Sequence, residues 1–473
     1  MKKTLTNNPQ KQALYFILLF GVVSLFADIT YEGARSITGP FLKLLGAGAT
    51  IVGIVVGLGE FIGYGLRLVT GWLADRTGRH WWFIIAGYSL NLLVVPFIGM
   101  APNWQIAAGL LITERLGKAI RTPARDKILS QATSVTGHGK GFGLHEAIDQ
   151  IGAVLGPLII SGVFFWNGSY GMGFAVLAVP ALLSLVVLIA TRSIYLDSKQ
   201  FEQQHEGDAV SYSSKSFTFY LIGIAFIALG FADFPLLAYH FKFTNLLSDQ
   251  WIPLAYALAM AVDAAAGLGL GMLFDRWRRP VLVGGVIVTA TFAPLIFFGG
   301  QTMVIAGVVV WGIGMGMIES VLRASVAQLI PSDRRGWAYG LFNGIFGCAW
   351  FVGSAVSGFL YEANITGLVV FLVTSQLFSL PFLWKAFHKS EKLNYEPIFY
   401  FCFTFSLISP ITSSGICFKA RYTSPGTIIK SSKTPKIGIK SGIKSKGSAR
   451  YPSASQSSQR DERGVRGSFI ACL

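Results

Sequence analysis

Along most of the chain, apolar runs of about twenty residues alternate with short breaks of charged residues, Gly, Pro or Asn, and a run of that length crosses a bilayer's hydrocarbon as a helix. The punctuation predicts twelve spans: 13–43, 48–74, 80–101, 104–124, 140–166, 170–191, 217–243, 250–275, 279–298, 301–329, 336–362 and 365–388. One long polar stretch, TRSIYLDSKQFEQQHEGDAVSYSSKS, interrupts them. It reads as a linker over 192–216 between six-helix halves at 13–191 and 217–388, with a polar start at 1–12 and a tail at 389–473.

The halves repeat one another, which bears directly on the fold. A shift of 205 residues lays Phe26-Ala27-Asp28 over Phe231-Ala232-Asp233, and a shift of 200 lays GWLADR at 71–76 over GMLFDR at 271–276. A shift of 197 matches Gln131 with Gln328, Gly139 with Gly336 and Gly156 with Gly353. The expected fold is therefore an all-α integral membrane protein with twelve transmembrane helices in two pseudo-symmetric six-helix bundles.

Composition agrees: 52% of residues are hydrophobic, 13% are charged, and the mean hydropathy is +0.55. Soluble domains carry roughly a quarter charged residues. The net charge of +16 suggests a nucleic-acid partner until it is located along the chain. From residue 391 onward 13 Lys/Arg stand against 4 Asp/Glu, so +9 of it lies in the tail, and nucleic acid is not the expected partner. The rest marks loops after spans 2, 4, 8 and 10, with Arg76, Arg79, Arg125, Lys127, Lys140, Arg276, Arg278, Arg279, Arg334 and Arg335. The opposite loops carry none, which puts both termini and the linker in the cytoplasm and the protein in the cytoplasmic (inner) membrane as a multi-pass chain. Cleavage after Ala27 would leave Leu25 where a signal peptidase wants a small residue, so the first span is expected to be retained. Cys348, Cys402, Cys417 and Cys472 show no paired spacing, and neither a disulfide framework nor a metal site is expected.

Charges inside apolar spans are costly and normally face a cavity or a partner. Asp28, Glu32 and Arg35 fall at i, i+4, i+7 on span 1, with Tyr31 beside them. Glu60 and Arg67 make a stripe on span 2, while Glu114, Lys118, Arg121 and Arg125 make one on span 4. Glu146 and Asp149 lie one turn apart on span 5; Asp233 and Asp263 stand alone on spans 7 and 8; Glu319 and Arg323 are an i, i+4 pair on span 10. Two readings stand for each: a proton or cationic-substrate group, or a static ion pair that fixes packing. Most acids fall in the first half, and Asp28 and Glu32 are the leading candidates to handle protons or a cationic substrate.

Several of these segments resemble motifs of the major facilitator superfamily. GWLADRTGRH is similar to its loop 2–3 signature, and LITERLGKAIRTPARD to its span 4 motif at Leu111 and Arg115, with Lys118 and Ala119 departing from it. Gly143, Gly152, Gly156 and Pro157 resemble the span 5 motif of its antiporters, with Ile160 and Ser161 in place of the closing glycine pair. The resemblance covers about residues 10 to 390, including RASVAQLIPSDRRGWAYGLFNGIFG at loop 10–11. It implies a cytoplasmic gate built on Gly71, Asp75, Arg76, Gly78 and Arg79, with a degenerate second copy at Gly271, Asp275 and Arg276. It also implies proton-coupled efflux of a small organic solute by alternating access, from a monomer needing no cofactor. Import by a proton or ion symporter is the rival, and a non-transporting receptor or scaffold a more distant one. No GxxxxGK[ST] appears, so energy is expected from a gradient rather than ATP, and no residue set suggests an enzyme. The tail, with an apolar PIFYFCFTFSLISPI and a basic Ser-rich remainder, is expected to be disordered and to meet the lipid surface.

Overall fold

The computed structural model describes residues 9–195, 214–331 and 334–387; the tail and most of the linker lie outside these described residues. Twelve helical spans follow one another: α1 (Pro9–Leu44), α2 (Ala49–Thr77), α3 (His80–Ile98), α4 (Trp104–Thr136), α5 (His138–Phe165) and α6 (Tyr170–Ile194), then α7 (Lys215–Phe243), α8 (Trp251–Arg276), α9 (Arg278–Phe297), α10 (Gln301–Leu329), α11 (Arg335–Ala363) and α12 (Ile365–Ala386). Among the described residues there is no strand. Eleven spans are long and apolar enough to cross a membrane by composition alone. The twelfth, α4, misses because Glu114, Arg115, Lys118, Arg121, Arg125 and Asp126 fall within it, and its neighbours rather than lipid must satisfy those charges.

Two helix ends differ from the sequence reading for a stated local cause. The expected stop near residue 124 follows from Pro123, yet α4 continues to Thr136 with that proline inside it. Proline leaves the carbonyl four residues earlier without its amide donor. Here that carbonyl, of Ala119, accepts a hydrogen bond from Thr70 Oγ1 of α2 at 2.8 Å, so the helix runs on. In α7 the opposite happens: residues 230–233 are not helical, and the span is two half-helices, Ser214–Leu229 and Phe234–Phe243. Gly230 weakens the helix and Pro235 cannot donate backward, so the chain opens between them.

Close approach of helices depends on small residues, as expected where lipid supplies no hydrophobic drive. A Cβ on Gly156 of α5 would lie 3.0 Å from Ile29 Cα of α1, and one on Gly353 of α11 would lie 2.8 Å from Leu229 Cα of α7. The same device thus recurs in both halves at the matching position. Between halves, Gly57 of α2 faces Phe351 of α11, while Gly39 of α1 faces Pro235 of α7. Buried aromatic rings fill the second half, where Phe231 lies 5.5 Å from both Trp311 and Trp350, centroid to centroid.

Candidate transport cavity

A polar cavity of about 150 Å³ lies between the halves. Thirteen of the sixteen charged and tyrosine positions expected at such a cavity line it: Asp28, Tyr31, Glu32, Arg35, Glu60, Arg67, Arg115, Lys118, Glu146, Asp149, Asp263, Glu319 and Arg323. Glu114, Arg121 and Asp233 do not. Helix arithmetic explains two of these. Glu114 and Arg121 form one row on α4 and Lys118 and Arg125 another, offset by about 40° at 3.6 residues per turn. The first row faces α3, where Asn91 Nδ2 donates to Glu114 Oε1 at 2.6 Å and the Arg121 guanidinium lies 4.2 Å over the Tyr88 ring. The second row faces the cavity, Lys118 Nζ lying 4.1 Å from the Tyr31 ring centre. The stripe is thus two rows and not a salt-bridge ladder.

Arg35 is the centre of the ionic contacts. Its Nη2 lies 2.6 Å from Asp233 Oδ1 of α7 and 3.0 Å from Glu60 Oε1 of α2, and its Nη1 is 4.0 Å from Glu32. Arg115 of α4 extends the chain, 3.3 Å from Glu60 and 3.1 Å from Glu114. The Tyr256 hydroxyl of α8 donates to Glu32 Oε2. One connected set of charges therefore joins both halves at mid-membrane, where low dielectric makes each contact strong and each loss expensive.

Asp233 leaves the cavity because the break in α7 turns it into a cap. Its Oδ1 accepts from the backbone amide of Phe234 at 3.0 Å, and its Oδ2 from Trp350 Nε1 at 3.0 Å. Asp28, its repeat partner, instead lines the cavity together with Tyr31 and with Asp149 of α5. Glu319 and Arg323 both line the cavity but form no mutual ion pair among the described residues; Gln150 Nε2 of α5 reaches Glu319 Oε2 at 3.5 Å. Sequence reasoning passed over Tyr64, Asp126, Gln150, Tyr256 and Trp350, which also line the space. Tyr256 had a signal, lying seven residues before Asp263 on the same helix face. The others had none without the fold.

The loop between α2 and α3 closes on its own half. Gly78 ends α2 in the left-handed region at φ 65°, donating its amide to Ala74 O, so the chain can turn there. Asp75 meets Lys127 Nζ of α4 at 2.7 Å and His80 Nε2 at 3.2 Å, and Arg76 stacks on Trp72. A Cβ on Gly71 would press on Pro123 at 3.2 Å. Arg79 precedes α3. In the second copy Gly271 faces Ser320, Arg276 stacks on Trp277, and Asp275 is exposed with no ion pair among the described residues. Of the α5 positions, Gly152 and Gly156 press on α1, Pro157 lies inside the helix, and Gly143 faces open space.

At the other end of the molecule the halves are bonded shut. Thr50 of α2 holds Glu362 of α11 (Oγ1 to Oε2, 2.6 Å), Ser161 of α5 donates to Gln250 O at 2.8 Å, and Tyr170 and Lys242 both donate to Asp249, at 2.8 and 2.6 Å. The cavity runs the opposite way, towards Arg125 and Asp126 at the α2–α3 end.

Comparison with known proteins fits this architecture. The family model described as Major Facilitator Superfamily matches residues 18–248 and again 209–435. An uncharacterized protein of Mycobacterium tuberculosis is 41% identical over 379 residues, covering 79% of this chain and 93% of its own. An uncharacterized MFS-type transporter of Methanocaldococcus jannaschii is 27% identical, covering 74% and 89%. Among solved structures, a bacterial homolog of the human lysosomal transporter Spinster, in an inward-facing and occupied conformation, superposes with a TM-score of 0.63 at 15% identity, covering 83% of this chain and 100% of that one.

Proposed function

The chain belongs to the major facilitator superfamily, and from that premise we propose that it is a secondary transporter exporting a small organic solute in exchange for inward-moving protons. It is a multi-pass membrane transporter by family; proton coupling, outward direction and placement of both termini in the cytoplasm of a cell membrane are our reading. The observation that carries it is the pair Asp28 and Asp149, two carboxyls on different helices, α1 and α5, that line one cavity. Two carboxyls facing one cavity repel when both are charged and can share a proton when one is neutral, so proton gain or loss there would change how α1 and α5 meet. Arg323 of the second half lines the same cavity, and its distance from the pair can change as the halves rock.

With the basic loops in the cytoplasm, the bonded end is the outer gate and the cavity faces inward. Gly152 and Gly156 seat α1 directly on α5, so a change at the carboxyl pair is delivered to a tight helix contact. Thr50–Glu362, Ser161–Gln250 and the Asp249 cluster would have to open for release outside.

Purified protein in liposomes under an imposed pH gradient tests this. Solute moving against entering protons is expected; co-movement would establish the symporter instead, and no flux across a broad panel of organic solutes would remove the transporter reading altogether.

A further inference from the structure

A second opening leads to the cavity, from the side. Between α5 and α8, with α10 behind, lies a predominantly apolar groove of about 660 Å³, within the size range of sites that take drug-sized molecules. Its rim is turned outward: Ile151 of α5 and Leu268 of α8 are 52% and 71% exposed. Gly143 of α5, which presses on no other helix, keeps the groove open at its cytoplasmic end.

The inner wall of the groove is also a wall of the central cavity. Glu146, Asp263, Glu319 and Arg323 line both. Three carboxyls stand there against one guanidinium. Asp263 is only 3% exposed, yet it has no hydrogen bond or ion pair among the described residues, and its carboxyl is turned into the shared space. Glu146, Glu319 and Arg323 share this wall with it. A buried carboxyl in this state is complementary to a cation that arrives without its water. An apolar rim leading to an anionic end is complementary to a molecule with a hydrocarbon body and an ammonium head.

We infer that the α5–α8 groove is a lateral entrance through which an amphipathic amine passes from the bilayer into the cavity, its ammonium received by Asp263. The inference rests on the transporter reading and narrows its substrate class. The acidic wall disfavours an anionic lipid headgroup, and an uncharged lipid tail would gain nothing from Asp263.

The full chain in lipid nanodiscs allows a direct test with dodecyltrimethylammonium, tetramethylammonium, dodecyl sulfate and dodecanol, together with a dodecylamine carrying a photoreactive group on its tail. Saturable dodecyltrimethylammonium binding is expected, with at least tenfold weaker binding of tetramethylammonium and no competition from dodecyl sulfate or dodecanol. The photoprobe should label 142–155 of α5 and 263–268 of α8. Asp263→Asn should weaken dodecyltrimethylammonium binding at least tenfold, and Gly143→Leu, which fills the groove, should abolish the labelling; unfolding midpoints of both variants serve as the folding control. Labelling of the wild-type protein decides the matter even if a variant does not fold. Equal binding by Asp263→Asn, equal competition by dodecanol, or labelling confined to other helices overturns the inference. If any of these occurs while a water-soluble solute still crosses proteoliposomes, only the lateral entrance falls; if nothing crosses, the transporter reading falls with it.

Discussion

Phe26-Ala27-Asp28 runs through an unbroken α1, whereas Phe231-Ala232-Asp233 lies in open chain between the two halves of α7. The copies differ in what flanks them: Leu25 and Thr30 around the first, Gly230 and Pro235 around the second. Opening the second copy frees its carbonyls inside the membrane, where an unpaired carbonyl is costly. Gln376 Nε2 donates to Gly230 O and Trp311 Nε1 to Ala232 O, each at 2.8 Å. Asp233 then holds a backbone amide, Trp350 and Arg35 at once, while Asp28 has no such anchors among the described residues and lines the cavity with Asp149. The duplication supplies two equivalent places, and the local backbone gives one acid fixed partners and leaves the other facing the cavity.

That contrast breaks most visibly at Arg35. Arg35→Ala leaves Asp233 a buried charge with no cationic partner and Glu60 with Arg115 alone, and should cost about 3–5 kcal/mol of stability, read as a lower unfolding midpoint in detergent. Asp28→Asn, by comparison, should leave the midpoint nearly unchanged. Should Arg35→Ala unfold with the wild type, Asp233 is not anchored as described.

Trp311→Phe tests the open segment itself. It keeps most of the ring packing against Phe231 and Phe234 but removes the indole donor to Ala232 O, so a loss of about 2 kcal/mol is expected from the orphaned acceptor. An unchanged unfolding midpoint would mean that α7 closes its own gap.

Asp28→Asn should act on transport instead. Proton-driven flux is expected to fall at least tenfold, equivalent to about 1.4 kcal/mol on the barrier, while solute exchange without a pH gradient persists. Full proton-driven flux in both Asp28→Asn and Glu32→Gln would remove these two residues from the coupling proposal.

Much of this arrangement can be read in the sequence, and the gaps have physical causes. The spans are legible because each must bury its backbone bonds in hydrocarbon, which forces a long apolar run. Pro123 reads as a stop for α4 because the group that rescues its orphaned carbonyl, Thr70, is on another helix. Gly230 and Pro235 were visible signals of a break in α7, outweighed by the apolar run around them. Periodicity puts Arg121 in one stripe with Lys118 and says nothing about which neighbour each row meets; Tyr88 holds Arg121 away from the cavity. The acids of α1, α2 and α5 were legible as cavity candidates because a charge in an apolar span has few other places to go.

The smallest effect should separate the two copies of the α2–α3 and α8–α9 turn. Asp75 is bonded to Lys127 of α4 and to His80, so Asp75→Asn loosens the end of α2 from the end of α4 within one half. The Asp75 and Lys127 side chains are 60% and 46% exposed, solvent screens the pair, and the expected result is a change of no more than a few-fold in transport rate with no measurable change in unfolding midpoint. Asp275 has no ion pair in the same position, so Asp275→Asn should leave the rate within experimental error if the inward-facing arrangement is the one that limits turnover. A larger effect at Asp275 than at Asp75 would mean that Asp275 finds its partner only when the cavity faces outward, and would move the working latch from the first half to the second.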